Sequence, residues 1–120
     1  MAANQNVKEL SRKLKIKAGT LKRLHKEYQS YQKESEKQQE KIQNMKQANA
    51  DSHDIAKQEE VLQETLHMIP DTKKRLEAAF HDLKQHMDAI EASKETSVMD
   101  SEDWKLAVEA ISNTQTFVTQ

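Results

Sequence analysis

Apolar side chains stand at Ile55, Leu62, Ile69, Leu76, Leu83 and Ile90, seven residues apart in one unbroken phase. Leu66, Phe80 and Met87 occupy alternate positions of the same seam, with Glu59 and Lys73 as polar interruptions. A sustained seven-residue repeat is the pattern of an α-helix that buries one narrow stripe against another helix. It excludes a strand, whose side chains change face at every residue. Pro70 lies inside the run. Its ring crowds the carbonyl four residues back and it has no N–H to donate, which ordinarily ends a helix. A break would also reset the phase of the stripe, and the phase does not change. The spacing therefore predicts a continuous helix over about residues 53–92, kinked at Pro70.

A second stripe runs through Val7, Leu10, Leu14, Lys17, Leu21, Leu24, Tyr28, Tyr31, Ser35, Gln38, Ile42 and Met45 in steps of three and four. It predicts one helix over about residues 5–48. Gly19 inside it costs about 1 kcal/mol relative to Ala, a weak point and not an end. Between the two stripes lies a polar stretch in which Asp51 or Ser52 is placed to cap the second helix. Beyond Ile90 the pattern fades. Asp100 or Ser101 can then cap a third helix over about residues 101–117, with Glu102 and Asp103 suiting the positive end of its dipole. Trp104, Val108 and Ile111 form its apolar stripe, continuing toward Val118.

Two long stripes joined by a short polar segment bury each other best as an antiparallel hairpin. Only 35% of the 120 residues are hydrophobic and 4% aromatic, too little for a wide core, and one Gly and one Pro leave almost no turn punctuation. The expected fold is a single all-α domain over residues 1–120, an elongated three-helix bundle. It has two long antiparallel helices, the second kinked at Pro70, and a shorter third helix. By the rise of an α-helix the long arms reach roughly 60 Å and the third about 27 Å, so the third covers only the open end. Ile16 is expected to pack beneath it. Val61 and Met68, off the seam in the uncovered half, are expected to face outward beside Pro70.

The chemistry of catalysis is absent from the pattern. There is no Cys for a disulfide, thiolate ligand or nucleophile. His25, His53, His67, His81 and His86 lack metal-ligand spacing, no serine stands in a nucleophile elbow, and one glycine cannot build a phosphate loop. The chain reads as a non-enzyme without cofactor or metal. No apolar run suits a signal peptide or membrane span, so a cytoplasmic protein is expected. Charge is nearly balanced at −1 but segregated. Eight basic residues between Lys8 and Lys26 face one acid, Glu9, whereas seven acids between Asp88 and Glu109 face Lys94 and Lys105. The basic residues surround their helix without aromatic neighbours for base stacking, and the apolar stripe has an internal partner, so neither nucleic acid nor membrane is an expected partner.

The residues go further than their periodicity. Lys15-Ile16-Lys17-Ala18-Gly19, Leu21-Lys22-Arg23-Leu24, Lys26-Glu27 and Gln38-Gln39-Glu40-Lys41-Ile42 resemble the first helix of the tubulin-binding cofactor A family. Residues 61–83, VLQETLHMIPDTKKRLEAAFHDL, resemble its second helix, with Met68-Ile69-Pro70-Asp71 and Arg75-Leu76-Glu77-Ala78-Ala79 as the most specific text. The resemblance covers about residues 14–90. It implies a three-helix chaperone that captures β-tubulin after its release from the cytosolic chaperonin and holds it for heterodimer assembly. It implies no nucleotide or small-molecule substrate, other tubulin-folding cofactors as further partners, and a cytoplasmic, cytoskeleton-associated setting. The alternative reading is a structural coiled-coil adaptor that dimerises through its seam without binding tubulin. The candidate partner-binding residues are Val61, Met68, Asp71, Lys74 and Arg75 around the Pro70 kink. Lys22, Arg23 and Lys26 join them as basic groups that steer an acidic partner.

Overall fold

The computed structural model describes residues 2–118, with side chains from residue 6 onward. The described chain is helical: α1 (Ala2–Gln47), α2 (Ser52–Ser93), a single turn α3 (Thr96–Met99) and α4 (Glu102–Val118). α2 passes through Pro70 without interruption. Pro70 is exposed, so its ring lies on the solvent side of the helix. α1 likewise passes through Gly19, which keeps a negative φ.

Local chemistry sets the helix ends. α1 closes with Asn49 at φ 57°, the Ala50 N–H reaching the Met45 carbonyl at 2.9 Å and the Asn49 N–H reaching that of Lys46 at 3.2 Å. This is a Schellman motif, which satisfies carbonyls left over by the last turn. Lys94, also at φ 57°, ends α2 in the same way, with the Lys94 N–H on the Glu91 carbonyl at 3.1 Å. Asp51 caps α2, its Oδ1 accepting from the His53 N–H at 3.2 Å, and Ser101 caps α4, its Oγ accepting from the Trp104 N–H at 3.3 Å.

The chain forms two compact units. The first holds the residues up to His25 and those from Arg75 onward. Its core is Leu14, Ala18 and Leu21 of α1, Leu76, Phe80, Leu83, Met87 and Ile90 of α2, Val98 of α3, and Ala107, Thr114 and Val118 of α4. Here α1 and α2 run antiparallel: His86 Nε2 lies 3.1 Å from the Leu10 carbonyl, and Lys17 Nζ lies 2.6 Å from Asp82 Oδ2. The α4 stripe differs from the expected one by a residue. Val108 is 46% exposed, and Ala107 and Thr114 are buried in its place. A small residue lets two helices approach closely, and the Thr114 hydroxyl donates to the Ala110 carbonyl at 2.7 Å, so its burial leaves no unmet polar group. Ile16, expected beneath this helix, is 54% exposed. The turn α3, absent from the sequence reading, carries Val98 fully into the core.

The second unit, Lys26–Lys74, consists of two helical segments joined by the turn at residues 48–51. Tyr28, Ser35, Ile42, Thr65 and Thr72 are its buried side chains. Glu59 and Lys73 are not the polar seam residues of α2. Glu59 is on the surface, paired with Lys46 at 3.3 Å, and Lys73 is only half-buried. Thr65 and Thr72 are buried instead. Thr65 meets its polar need by donating to the Val61 carbonyl at 3.2 Å, as threonine does readily within a helix.

Candidate functional site

Within the second unit, α2 presents Val61, Met68, Asp71 and Lys74, and α1 presents Lys26. Val61 is 42% exposed, whereas Met68, seven residues on and therefore on nearly the same face, is half-buried. The apolar surface beside Pro70 is thus narrower than expected, with Val61 its exposed point. Asp71, Lys74 and Lys26 are exposed. In the first unit, Lys22 and Arg23 of α1 and Arg75 of α2 are exposed, and Arg23 Nη2 lies 3.4 Å from Thr20 Oγ1. These side chains offer one aliphatic contact and several charges. They converge on no cavity of reacting groups, and among the described residues no cluster of three or more His, Asp or Glu is set to hold a metal ion. No helix among the described residues is long and apolar enough to cross a membrane.

Exposed large apolar side chains occur mainly elsewhere. Besides Val61 they are Ile16, Leu106 and Val108, all in the first unit. Leu106 borders a groove of about 330 Å³ between α1 and α4. Ala18, Gly19, Ala110 and Thr114 lie along it, Lys15 and Lys22 flank it on α1, and Asp103 and Glu109 flank it on α4. A Cβ added at Gly19 would meet nothing within 4 Å, so the glycine borders open space and accommodates no neighbouring helix of this chain. At one end lies His25, whose ring packs against Phe117 at a centroid distance of 5.2 Å. Burial pushes its imidazole below the usual 6.5. Sequence reasoning missed this groove. Leu106 lies off the expected stripe of its helix, and the α1 and α4 residues concerned lie at least 78 positions apart in the chain.

Comparison with known proteins accords with this architecture. A family profile described as tubulin binding cofactor A matches residues 9–111, which takes in most of α4 as well as the two long helices. Tubulin-specific chaperone A of Rattus norvegicus is 44% identical over 96 residues, spanning 80% of this chain and 84% of the relative. Tubulin-folding cofactor A of Arabidopsis thaliana is 45% identical over 97 residues, spanning 81% and 86%. The crystal structure of tubulin folding cofactor A from Arabidopsis thaliana superposes with a TM-score of 0.79 at 38% identity, covering 90% of this chain and 97% of that one. The structure of human tubulin chaperone cofactor A does so with a TM-score of 0.71 at 38% identity, covering 88% and 98%.

Proposed function

The chain belongs to the tubulin binding cofactor A family, and from that premise we propose that it is a tubulin-folding chaperone that holds β-tubulin after chaperonin release, for assembly of the tubulin heterodimer. The observation that carries this reading is the match at 44–45% identity to relatives named for tubulin chaperoning and folding, over four-fifths of the chain. The physical chemistry is compatible with it. Stoichiometric holding needs a stable helical scaffold with exposed contact residues, and requires neither a reacting constellation nor a nucleotide site.

The contact is placed on the second unit around Val61 and Met68, with Asp71 and Lys74 beside them. Arg75, Lys22, Arg23 and Lys26 serve as charges that speed encounter with an acidic partner. A holder of this kind acts in the cytoplasm with other tubulin-folding cofactors as neighbours in the same process.

The test is co-elution of the purified protein with β-tubulin released from a chaperonin reaction, against intact heterodimer as control. The expected result is an equimolar complex with β-tubulin and none with the heterodimer. Failure to retain β-tubulin, together with a mass twice 13.9 kDa that persists on dilution, would replace this reading by the dimeric coiled-coil adaptor.

A further inference from the structure

We propose that the groove between α1 and α4 is a docking site for one amphipathic helix of a partner protein. That helix is aliphatic along its contact stripe, acidic on the edge facing α1 and basic on the edge facing α4. The proposal stands on the first unit alone and does not depend on the tubulin reading.

The two walls are built from matching helical stripes. On α1, Lys15, Ala18, Gly19 and Lys22 follow the i, i+3, i+4, i+7 spacing of one helix face. On α4, Asp103, Leu106 and Ala110 do the same at i, i+3, i+7. The α1 stripe is small in the middle and charged at both ends, and the α4 stripe runs from charged Asp103 to apolar Leu106 and Ala110, with Glu109 beside it. Gly19 and Ala110 keep the floor low enough for a neighbouring helix to approach closely. Leu106, 47% exposed, borders this groove, where the apolar stripe of an incoming helix would remove it from water. A mid-helix glycine costs about 1 kcal/mol against Ala. The open space above Gly19 shows that this cost is not incurred to seat anything within the chain.

Charge identifies the occupant. Lys15 and Lys22 lie two helical turns apart, about 10 Å along α1. Asp103 and Glu109 are spaced comparably along α4. None of the four forms an ion pair among the described residues. A uniformly acidic or uniformly basic helix would meet one wall of its own sign, whereas one with opposite edges meets complementary charge on both. A strand has no sheet edge to join here, since the groove is bounded by helices, so helix-in-groove docking is the mode that fits. Seated there, the incoming helix would complete a four-helix packing with the segments of α1, α2 and α4 in this unit.

The probe is a designed helical peptide of about five turns, long enough to span both charge pairs. It carries Leu on its contact stripe, Glu on one edge and Lys on the other, and is compared with versions bearing Glu on both edges or Lys on both. Gly19 is the only glycine, so its amide stands alone in the glycine region of a nitrogen–proton correlation spectrum. The opposite-edge peptide is expected to shift the Gly19 resonance and to bind about tenfold more tightly than either single-sign peptide. Gly19→Leu, which projects a side chain into the space where a Cβ meets nothing within 4 Å, should abolish binding while leaving helical content unchanged. Lys15→Glu with Lys22→Glu, an exposed pair, should transfer preference to the peptide with Lys on both edges. The proposal is overturned if the three peptides bind alike, if Gly19 does not respond, or if the charge-reversed variant keeps its original preference. It is also overturned if the Gly19 resonance moves with protein concentration alone, which would make a second copy of this chain the occupant.

Discussion

The Thr72 hydroxyl is buried in the second unit, 1% exposed as a residue, and has no hydrogen-bond partner. An unmet buried hydroxyl costs about 1–3 kcal/mol, so replacing it by a methyl of similar shape removes a penalty and loses no bond. Thr72→Val is therefore expected to raise stability by about 1 kcal/mol, less the small helix-propensity difference, read from the shift of the urea midpoint at constant slope. A second residue-scale effect concerns His25. Burial lowers its pKa below 6.5 in the folded chain, so the unfolded chain binds the proton more readily. Stability from the neutral, Phe117-packed ring is thus fully present above the unfolded value and is lost as pH falls through 6.5 toward the folded value. The melting temperature of the native chain relative to His25→Gln is expected to decline between about pH 7.5 and about pH 5. A difference that grows as the pH falls would contradict the sign.

At the scale of the element, α1 carries a glycine whose missing side chain is not needed for packing. Gly19→Ala adds a methyl into open space and recovers helix propensity. It is expected to stabilise the protein by about 1 kcal/mol, measured by thermal or denaturant unfolding. A loss would mean that the groove closes over Gly19 in solution. The helices themselves were legible because a helix writes its buried face into the chain at a fixed period. Leu14, Leu21, Leu76, Leu83 and Ile90 are fully buried as the stripe requires. The misplacements share one cause. Ala107, Thr65 and Thr114 are small or formally polar, and a stripe read by hydrophobicity passes them over for Val108 and Leu66, while the same phase continued by seven puts Lys73 on the seam in place of Thr72. Threonine can satisfy its hydroxyl within its own helix and then pack like a small apolar residue, as Thr65 and Thr114 do.

For the molecule as a whole, apolar burial is unevenly divided. Every fully buried Leu, Ile and Val belongs to the first unit, and the one fully buried side chain of the second is Thr72. Each such aliphatic burial contributes about 1.5–3 kcal/mol, which makes the first unit the main seat of hydrophobic stabilisation. This distribution selects the variant that best tests the proposed tubulin contact. Met68 is half-buried, and a charge there would perturb packing as well as binding. Val61 is exposed, and Val61→Glu should change stability by no more than about 0.5 kcal/mol. It is expected to weaken β-tubulin capture in the co-elution assay. Unchanged capture would remove Val61 from the contact.

Family membership was also legible, because residues 61–83 combine a heptad helix with an internal proline in text specific enough to recognise. That proline within an unbroken stripe was the strongest constraint in the chain, and α2 does continue through it. By itself the sequence determined the all-helical class and the main buried stripes, since both follow from local periodicity that any window of the chain displays. Only the tertiary structure decided which threonines enter the core, that Ile16 remains in water, and that Lys15, Gly19 and Lys22 share a groove with Asp103 and Leu106. Those outcomes depend on how close two helices approach and on which distant segments meet, and neither distance is encoded in the spacing of residues along one helix.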